Sequence, residues 1–309
     1  MDIFLQQVLN GLVLGSVYAL VALGYTMVYG ILGLINFAHG EVVMIGAMIA
    51  LTVMNALLGT SVGLPVPVIL ALAMTMAIGV CMALAYSIER AAYRPLRRAP
   101  RLAPLITAIG MSILLQNLAM LIWGRQYHTF PRIMSATPHT FGGASITDLQ
   151  IIIIVVSALI MAGLLLLVQY TRLGRAMRAT AENPTVAGLM GVNVNRIISA
   201  TFLIGAALAA VAGVLVAANY SIAHYSMGFM LGLKAFTAAV LGGIGNLAGA
   251  MLGGLLLGLI ESIGAGYIGD LTGGVFGSNY QDVFAFLVLV LVLVFRPTGL
   301  MGERVAERA

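Results

Sequence analysis

The sequence predicts an all-α, polytopic transmembrane helix bundle of about eight or nine spans, and three observations carry that prediction. Hydrophobic residues fill 61% of the 309 positions and charged residues only 8%, too few to cover a water-facing surface. Uncharged runs such as Leu102 to Gly124 and Leu149 to Thr171 are long enough to cross the ~30 Å hydrocarbon core as helices. These runs are continuously apolar, whereas the strands of a membrane barrel alternate between lipid and lumen faces. An unpaired backbone amide in hydrocarbon is costly, so helices are what remains.

Apolar spans fall near residues 4–30, 34–57, 66–88, 103–123, 150–170, 197–219, 229–245, 247–268 and 281–296, and the whole of 1–309 reads as one transmembrane domain. The first has neither a basic n-region nor a small-residue cleavage pattern, so it is read as a retained membrane segment. The third holds Cys81, a single cysteine that excludes an intrachain disulfide or a cysteine metal cluster. The fourth carries Gln116 and Asn117, and the eighth carries Glu261 near its outer end. Gly205 to Gly213 and Gly249 to Gly258 are dense in small residues, as expected of helices whose backbones approach closely. Phe284 to Phe295 is nearly all Phe, Leu and Val, and is assigned to lipid contact.

Two of these spans are interrupted. Gly30 to Glu41 inserts glycines, Asn36, His39 and Glu41 into apolar sequence, and Leu241 to Ala250 inserts Gly242, Gly243, Gly245 and Asn246. Both contain an Asn-x-Ala element followed by small residues, and they lie in opposite halves of the chain. Paired interruptions of this kind point to broken helices and to a transport path between repeats. Asn36 and Asn246 are expected to cap the half-helices that follow.

Arginine placement sets the orientation. Arg90, Arg94, Arg97, Arg98 and Arg101 fill one connection, Arg172, Arg175, Arg178 and Arg196 a second, and Arg296, Arg304 and Arg308 the tail. These regions are expected on the cytoplasmic side. The connection from Gly124 to Asp148, with Trp123, Tyr127 and Pro131 at its edge, is then external. An odd number of crossings leaves the N-terminus outside. Parity holds if 229–268 forms two crossings, or one short half-helix and one full helix. The net charge of +5 is explained by topology and gives no reason to expect a nucleic-acid partner.

Catalytic signatures are missing from the sequence. Lys234, the sole lysine, has no glycine frame of a P-loop around it, and no Ser/His/Asp or metal-ligand spacing occurs. Ionisable groups inside a membrane are costly and are usually paired or functional, which singles out His39, Glu41 and Lys234. A Glu41–Lys234 ion pair is the first expectation, contact with the charges of a zwitterion the second. His224 and Tyr225 fall in an external loop.

The segment 171–196 is the longest cytoplasmic connection, with helix-forming residues broken by Pro184 and Gly191. Its Glu182, Gly188 and Ile198 resemble the cytoplasmic pattern of ABC importer permeases: Glu-Ala-Ala, three residues, Gly, nine residues, Ile. Asn183 and Pro184 replace the two alanines, and Ala200-Thr201 the usual Leu-Pro. Other stretches extend the likeness nearly end to end: Val17-Tyr18-Ala19-Leu20, Leu23 to Gly30, Ile35 to Glu41, Ile88-Glu89-Arg90, Tyr93-Arg94-Pro95, Ile109 to Ser112, Gly174 to Ala179, Lys234 to Gly245 and Pro297-Thr298-Gly299. Together they resemble the membrane permease of high-affinity branched-chain amino acid ABC importers.

That resemblance implies a second, related permease chain, two cytoplasmic ATP-binding subunits that hold ATP and Mg, and a periplasmic substrate-binding protein. It also implies a bacterial inner-membrane location and no cofactor in this chain. The coupling surface toward the ATPases would comprise Arg175, Arg178, Glu182 and Gly188 on a short helix that moves as a rigid body. The path or helix breaks would comprise Asn36, His39, Glu41, Lys234 and Asn246. Permeases for urea and short amides look alike. A self-sufficient secondary transporter with a Glu/His proton relay also fits the composition but does not need the long arginine-bearing loop; a channel built on half-helices fits as well and would show substrate flux without ATP or a binding protein.

Overall fold

The computed structural model describes residues 2–59, 65–97, 99–100, 102–132, 137–271 and 280–302. Arg98, Arg101, Arg304 and Arg308, expected on the cytoplasmic side, lie outside these residues.

Within them the chain is a polytopic helical bundle. Its helices are α1 (Asp2–Leu32), α2 (His39–Leu58), α3 (Val66–Ile88), α4 (Arg94–Leu96), α5 (Leu102–Trp123), α6 (Asp148–Tyr170), α7 (Arg172–Glu182), α8 (Pro184–Leu189), α9 (Val194–Tyr220), α10 (Met227–Gly242), α11 (Leu247–Leu271) and α12 (Gln281–Phe295). A π-helical turn, Glu89–Tyr93, joins α3 to α4. Seven helices are long and apolar enough to cross a membrane, so the protein is a multi-pass membrane protein.

The expected spans at 229–245 and 281–296 are shorter than a full crossing. The α10 helix has 16 residues and α12 has 15, which at 1.5 Å per residue is about 24 Å and about 22 Å. The first stops at Gly243, whose φ of +107° lies in the region glycine alone enters freely. The second stops at Arg296, directly before Pro297. The pairing of short α10 with full-length α11 is the half-helix arrangement that parity allows.

Four short strands qualify the all-α expectation. Strands β2 (Pro138–Phe141) and β3 (Ala144–Thr147) form an antiparallel hairpin. Its two-residue turn, Gly142-Gly143, has φ of +58° and +85°, the sense that matches the twist of a hairpin. Strands β1 (His128–Thr129) and β4 (Ile222–Ala223) pair over two residues.

Packing divides the described residues into two compact units. One draws on Met1–Thr26, Ala136–Gly163 and Lys234–Ala309, the other on Met27–Ser135 and Leu164–Leu233. In the first unit Gly11, Gly15 and Ala19 of α1 lie against Gly254 and Gly258 of α11 so closely that an added Cβ would meet backbone. Four-residue spacing of glycines on both helices permits that approach, which is how helices associate where lipid supplies no hydrophobic drive. In the second unit α2, α3 and α9 pack on one another, with Gly46 against Ala210 and Gly213 against Val43. Val28, Ile88, Tyr93, Ala108, Leu115, Ile198 and Phe202 form an apolar cluster of this unit.

Candidate functional site

Both interruptions read from the sequence are breaks in the helices. Between α1 and α2, Gly33 takes a φ of +63° and the chain is non-helical to Ala38. His39 opens α2, its backbone N–H bonding the Asn36 carbonyl at 2.9 Å. Asn36 does not cap α2; its side-chain Oδ1 accepts the Tyr93 hydroxyl at 2.7 Å, both groups buried. A buried phenol needs a partner, and the tertiary bond outcompetes the local cap. At the second break the expectation holds. Asn246 Oδ1 accepts the Gly249 N–H at 3.0 Å, and its Nδ2 donates to the Met301 carbonyl at 3.0 Å.

Beside the first break, His39 and Asn36 line a cavity of about 10 Å³ with Val28, Val42, Ala85, Ile88, Phe202 and Ala206. It is room for about one water. The break is packed closed against anything the size of an amino acid. One turn on, Glu41 is buried and its Oε1 accepts the Ser112 hydroxyl at 3.1 Å. Its Oε2 makes no hydrogen bond among the described residues. Gly228 at the start of α10 crosses Gly40 backbone to backbone, and a Cβ there would stand 2.8 Å from Glu41 Oε2.

Lys234 is engaged elsewhere than expected. Its Nζ lies 2.7 Å from Glu261 Oε1 on α11 and 2.7 Å from Asp282 Oδ1 on α12. Tyr18 of α1 donates to Glu261 Oε2 at 3.0 Å and stands 3.4 Å from the ammonium. The cation therefore takes two carboxylates, Glu261 and Asp282, in place of the expected Glu41: Lys234, α11 and α12 belong to one compact unit. A third buried acid, Glu89 in the π-helical turn, pairs with Arg97 and accepts the Ser199 hydroxyl at 2.8 Å. Burial pulls the Arg97 guanidinium below its usual range, and the Glu89 carboxylate beside it works against that shift.

The connection 171–196 folds as two short helices joined at a capped corner. Thr171 caps α7 and Asn183 caps α8, whose first residue is Pro184. Gly174 sits so close to the Leu167 and Val168 carbonyls that a Cβ would collide with them. Gly174, Met177 and Thr180 form the buried face of α7, while Arg175, Arg178 and Glu182 are exposed. Arg178 donates to the Val168 and Gln169 carbonyls, and Arg175 to Tyr170 at 3.4 Å. Two residues expected on a partner-facing surface thus also satisfy the last carbonyls of α6. Gly188 is exposed with open space around it, next to Leu189 and Met190, which are 83% and 81% exposed. Tyr127 stacks on His224 with ring centroids 4.2 Å apart, and Tyr225 lies tilted against the same imidazole at 4.3 Å.

In the sequence Tyr93 and Ser112 stood out only as members of stretches of family likeness, with no role of their own, and Asp282 not at all. The signal for each was polarity inside or at the edge of an apolar span, which marks a group that needs a partner.

The family described as the branched-chain amino acid transport system permease component matches residues 7–293. The chain belongs to this family. Among its permease relatives, BraD of Pseudomonas aeruginosa, a high-affinity branched-chain amino acid transport system permease protein, is 51% identical over 310 residues, covering 99% of this chain and 98% of BraD. LivH of Escherichia coli (strain K12), which carries the same description, is 47% identical over 311 residues, covering 99% and 97%. The ribose import permease protein RbsC of Escherichia coli (strain K12) is 31% identical over 134 residues, 41% of this chain and 40% of RbsC. No solved structure shows a significant match. Family membership makes the chain a transport permease component rather than an enzyme.

Proposed function

We propose that this chain translocates branched-chain or related hydrophobic amino acids from periplasm to cytoplasm as one of two permease chains in an ATP-driven importer. The observation that carries this reading is the near full-length relationship to two permeases of high-affinity branched-chain systems. In the proposed assembly a second, related permease packs beside this one, two cytoplasmic subunits bind ATP and Mg, and a periplasmic binding protein delivers the solute. The inner bacterial membrane holds it, with the C-terminus cytoplasmic and the N-terminus periplasmic, as the arginine-rich connections favour.

Coupling falls to α7 and α8. The exposed tip of Val186, Gly188, Leu189 and Met190 gives an ATPase groove an apolar surface, and a Cβ at Gly188 would meet nothing in this chain. The buried face of α7 and the Arg178 bonds to α6 make the pair stiff, so a push on the tip is passed to a long helix. Glu182 stands exposed at the corner between the two helices, free to meet a basic group on the partner. The clustered rings of Tyr127, His224 and Tyr225 are the corresponding candidate for contact with the binding protein. The path is assigned to the first break, where Asn36, His39 and Glu41 gather; Asn246 and Lys234 hold the second break and its flanking helices in place.

The test is ATPase activity in proteoliposomes holding this chain, its partner permease and both ATPases, with and without leucine-loaded binding protein. Stimulation by the loaded binding protein is expected to drop at least tenfold in Glu182→Ala. Uptake by this chain alone, driven by an ion gradient and indifferent to ATP, would instead establish a secondary transporter. Stimulation by a urea- or amide-loaded binding protein and not by leucine would move the substrate to that class.

A further inference from the structure

At the junction of α3, the π-helical turn and α9 lies a cavity of about 410 Å³ lined by Tyr86, Arg90, Arg94, Asn193, Asn195, Arg196, Ser199, Ala200 and Leu203. Nothing in the transport reading uses it. Three guanidinium groups converge there, and among the described residues none of them forms a salt bridge. Arg90 donates to the Tyr86 hydroxyl at 3.0 Å. Glu89, the acid beside Arg90 in sequence, is buried and already taken by Arg97 and Ser199. Asn193 and Asn195 have their carbonyl oxygens committed to the Arg196 N–H and to Arg97. What the cavity offers is positive charge and hydrogen-bond donors.

The α3 helix, which leads through the π-helical turn to two of these arginines, says what reaches them. Val68, Leu72, Met76, Gly79, Ala83, Tyr86, Arg90 and Arg94 are all exposed and recur every three or four residues, so they form one continuous stripe. The stripe is apolar from Val68 to Ala83, then aromatic, then doubly basic. From Leu72 to Arg90 it rises about 27 Å, close to the ~30 Å thickness of the hydrocarbon core. A tyrosine followed by arginines at that height is the order in which a membrane-facing helix meets the glycerol and phosphate levels. The π-helical turn at Glu89–Tyr93, a feature often found at binding sites, holds Arg90 and leads into Arg94, and both line the cavity.

The geometry points to a binding site for the phosphate of an acidic phospholipid, its acyl chains along the α3 stripe and its headgroup among Arg90, Arg94 and Arg196. Paired guanidinium forks suit a phosphate oxygen cluster, and basic pockets between transmembrane helices take cardiolipin-like headgroups. Leu203 and Ala200 supply the apolar floor that a soluble anion would not need. The site depends on the chain being a multi-pass membrane protein and not on its substrate.

The test is phospholipid analysis of the full chain, purified in mild detergent with its co-expressed partners, by native mass spectrometry. Wild type and the control Arg172→Gln/Arg296→Gln are expected to retain phosphatidylglycerol or cardiolipin. Retention is expected to fall about fivefold for each arginine replaced in the series Arg90→Gln, Arg94→Gln and Arg196→Gln. A measurement needing no variant runs beside it: added phosphatidylglycerol should raise the wild-type melting temperature, while phosphatidylcholine and inorganic phosphate at equal concentration should not. Equal lipid retention in the cavity series and the control would overturn the site and leave the arginines as topology signals. Displacement of the lipid by inorganic phosphate or ATP would replace it with a soluble phosphate ligand. Loss of the partner permease, with lipid retained, would make the cavity a protein interface.

Discussion

Glu261 and Glu41 are both buried glutamates on membrane-spanning helices, and the chain handles them in opposite ways. Glu261 meets an ammonium at 2.7 Å and a phenol at 3.0 Å, so its charge is answered and both oxygens are bonded. Glu41 meets one hydroxyl at 3.1 Å, and its second oxygen faces the backbone crossing of Gly40 and Gly228. An ion cluster that ties α1, α10, α11 and α12 is a structural fastener. A carboxylate at a helix break with spare acceptor capacity is what a path would use to hold an ammonium or a proton in passing.

The widest gap between them should open on removing the cation. Lys234→Met leaves buried Glu261 and half-buried Asp282 without a counter-charge, and about 3–5 kcal/mol of stability should be lost. Thermal unfolding in detergent would read it, and adding Glu261→Gln should restore more than half of the loss; an unchanged melting temperature would show that the cluster fastens nothing. Next in size is Gly228→Ala, which drives a methyl group into the Gly40 carbonyl and Glu41 carboxylate. It should cost about 1–3 kcal/mol through overpacking, with uptake reduced in step. The smallest effect belongs to Glu41→Gln, where the amide keeps the Ser112 bond and no cation is orphaned. A change within about 1 kcal/mol is expected; a loss as large as that of Lys234→Met would make the two sites alike after all.

Where chemistry is local, the sequence announced it. The break before His39 is visible in Gly33 and Asn36, the second break in Gly243, Gly245 and Asn246, and the α7–α8 corner in Pro184. Long-range pairing was another matter. Lys234 could have met Glu41 or Glu261 on burial grounds alone, since charge says that a partner is needed but not which one. Asn36 followed the same pattern: its spacing from α2 suits a cap, yet Tyr93, 57 positions away, takes its oxygen. The hairpin at 138–147 was legible in its Gly142-Gly143 pair, a two-residue hairpin signal, but a connection between two membrane spans invites reading as a plain loop. The shortness of α10 and α12 is set by breakers at their ends rather than by their apolar content, which matches that of full spans.

The turn between α10 and α11 is closed by residues that come after α12. Leu300 and Met301 donate their N–H groups to the Leu241 and Gly242 carbonyls at 2.9 Å each, and Asn246 holds the Met301 carbonyl. During synthesis those two carbonyls emerge some sixty residues before their donors. Until residue 301 leaves the ribosome, the break must be held by water or by the insertion machinery. A ribosome stalled after α12 but short of Leu300 would therefore release a chain with every span present and one turn unsealed, a lesion that membrane quality control would meet as exposed backbone rather than as a missing helix.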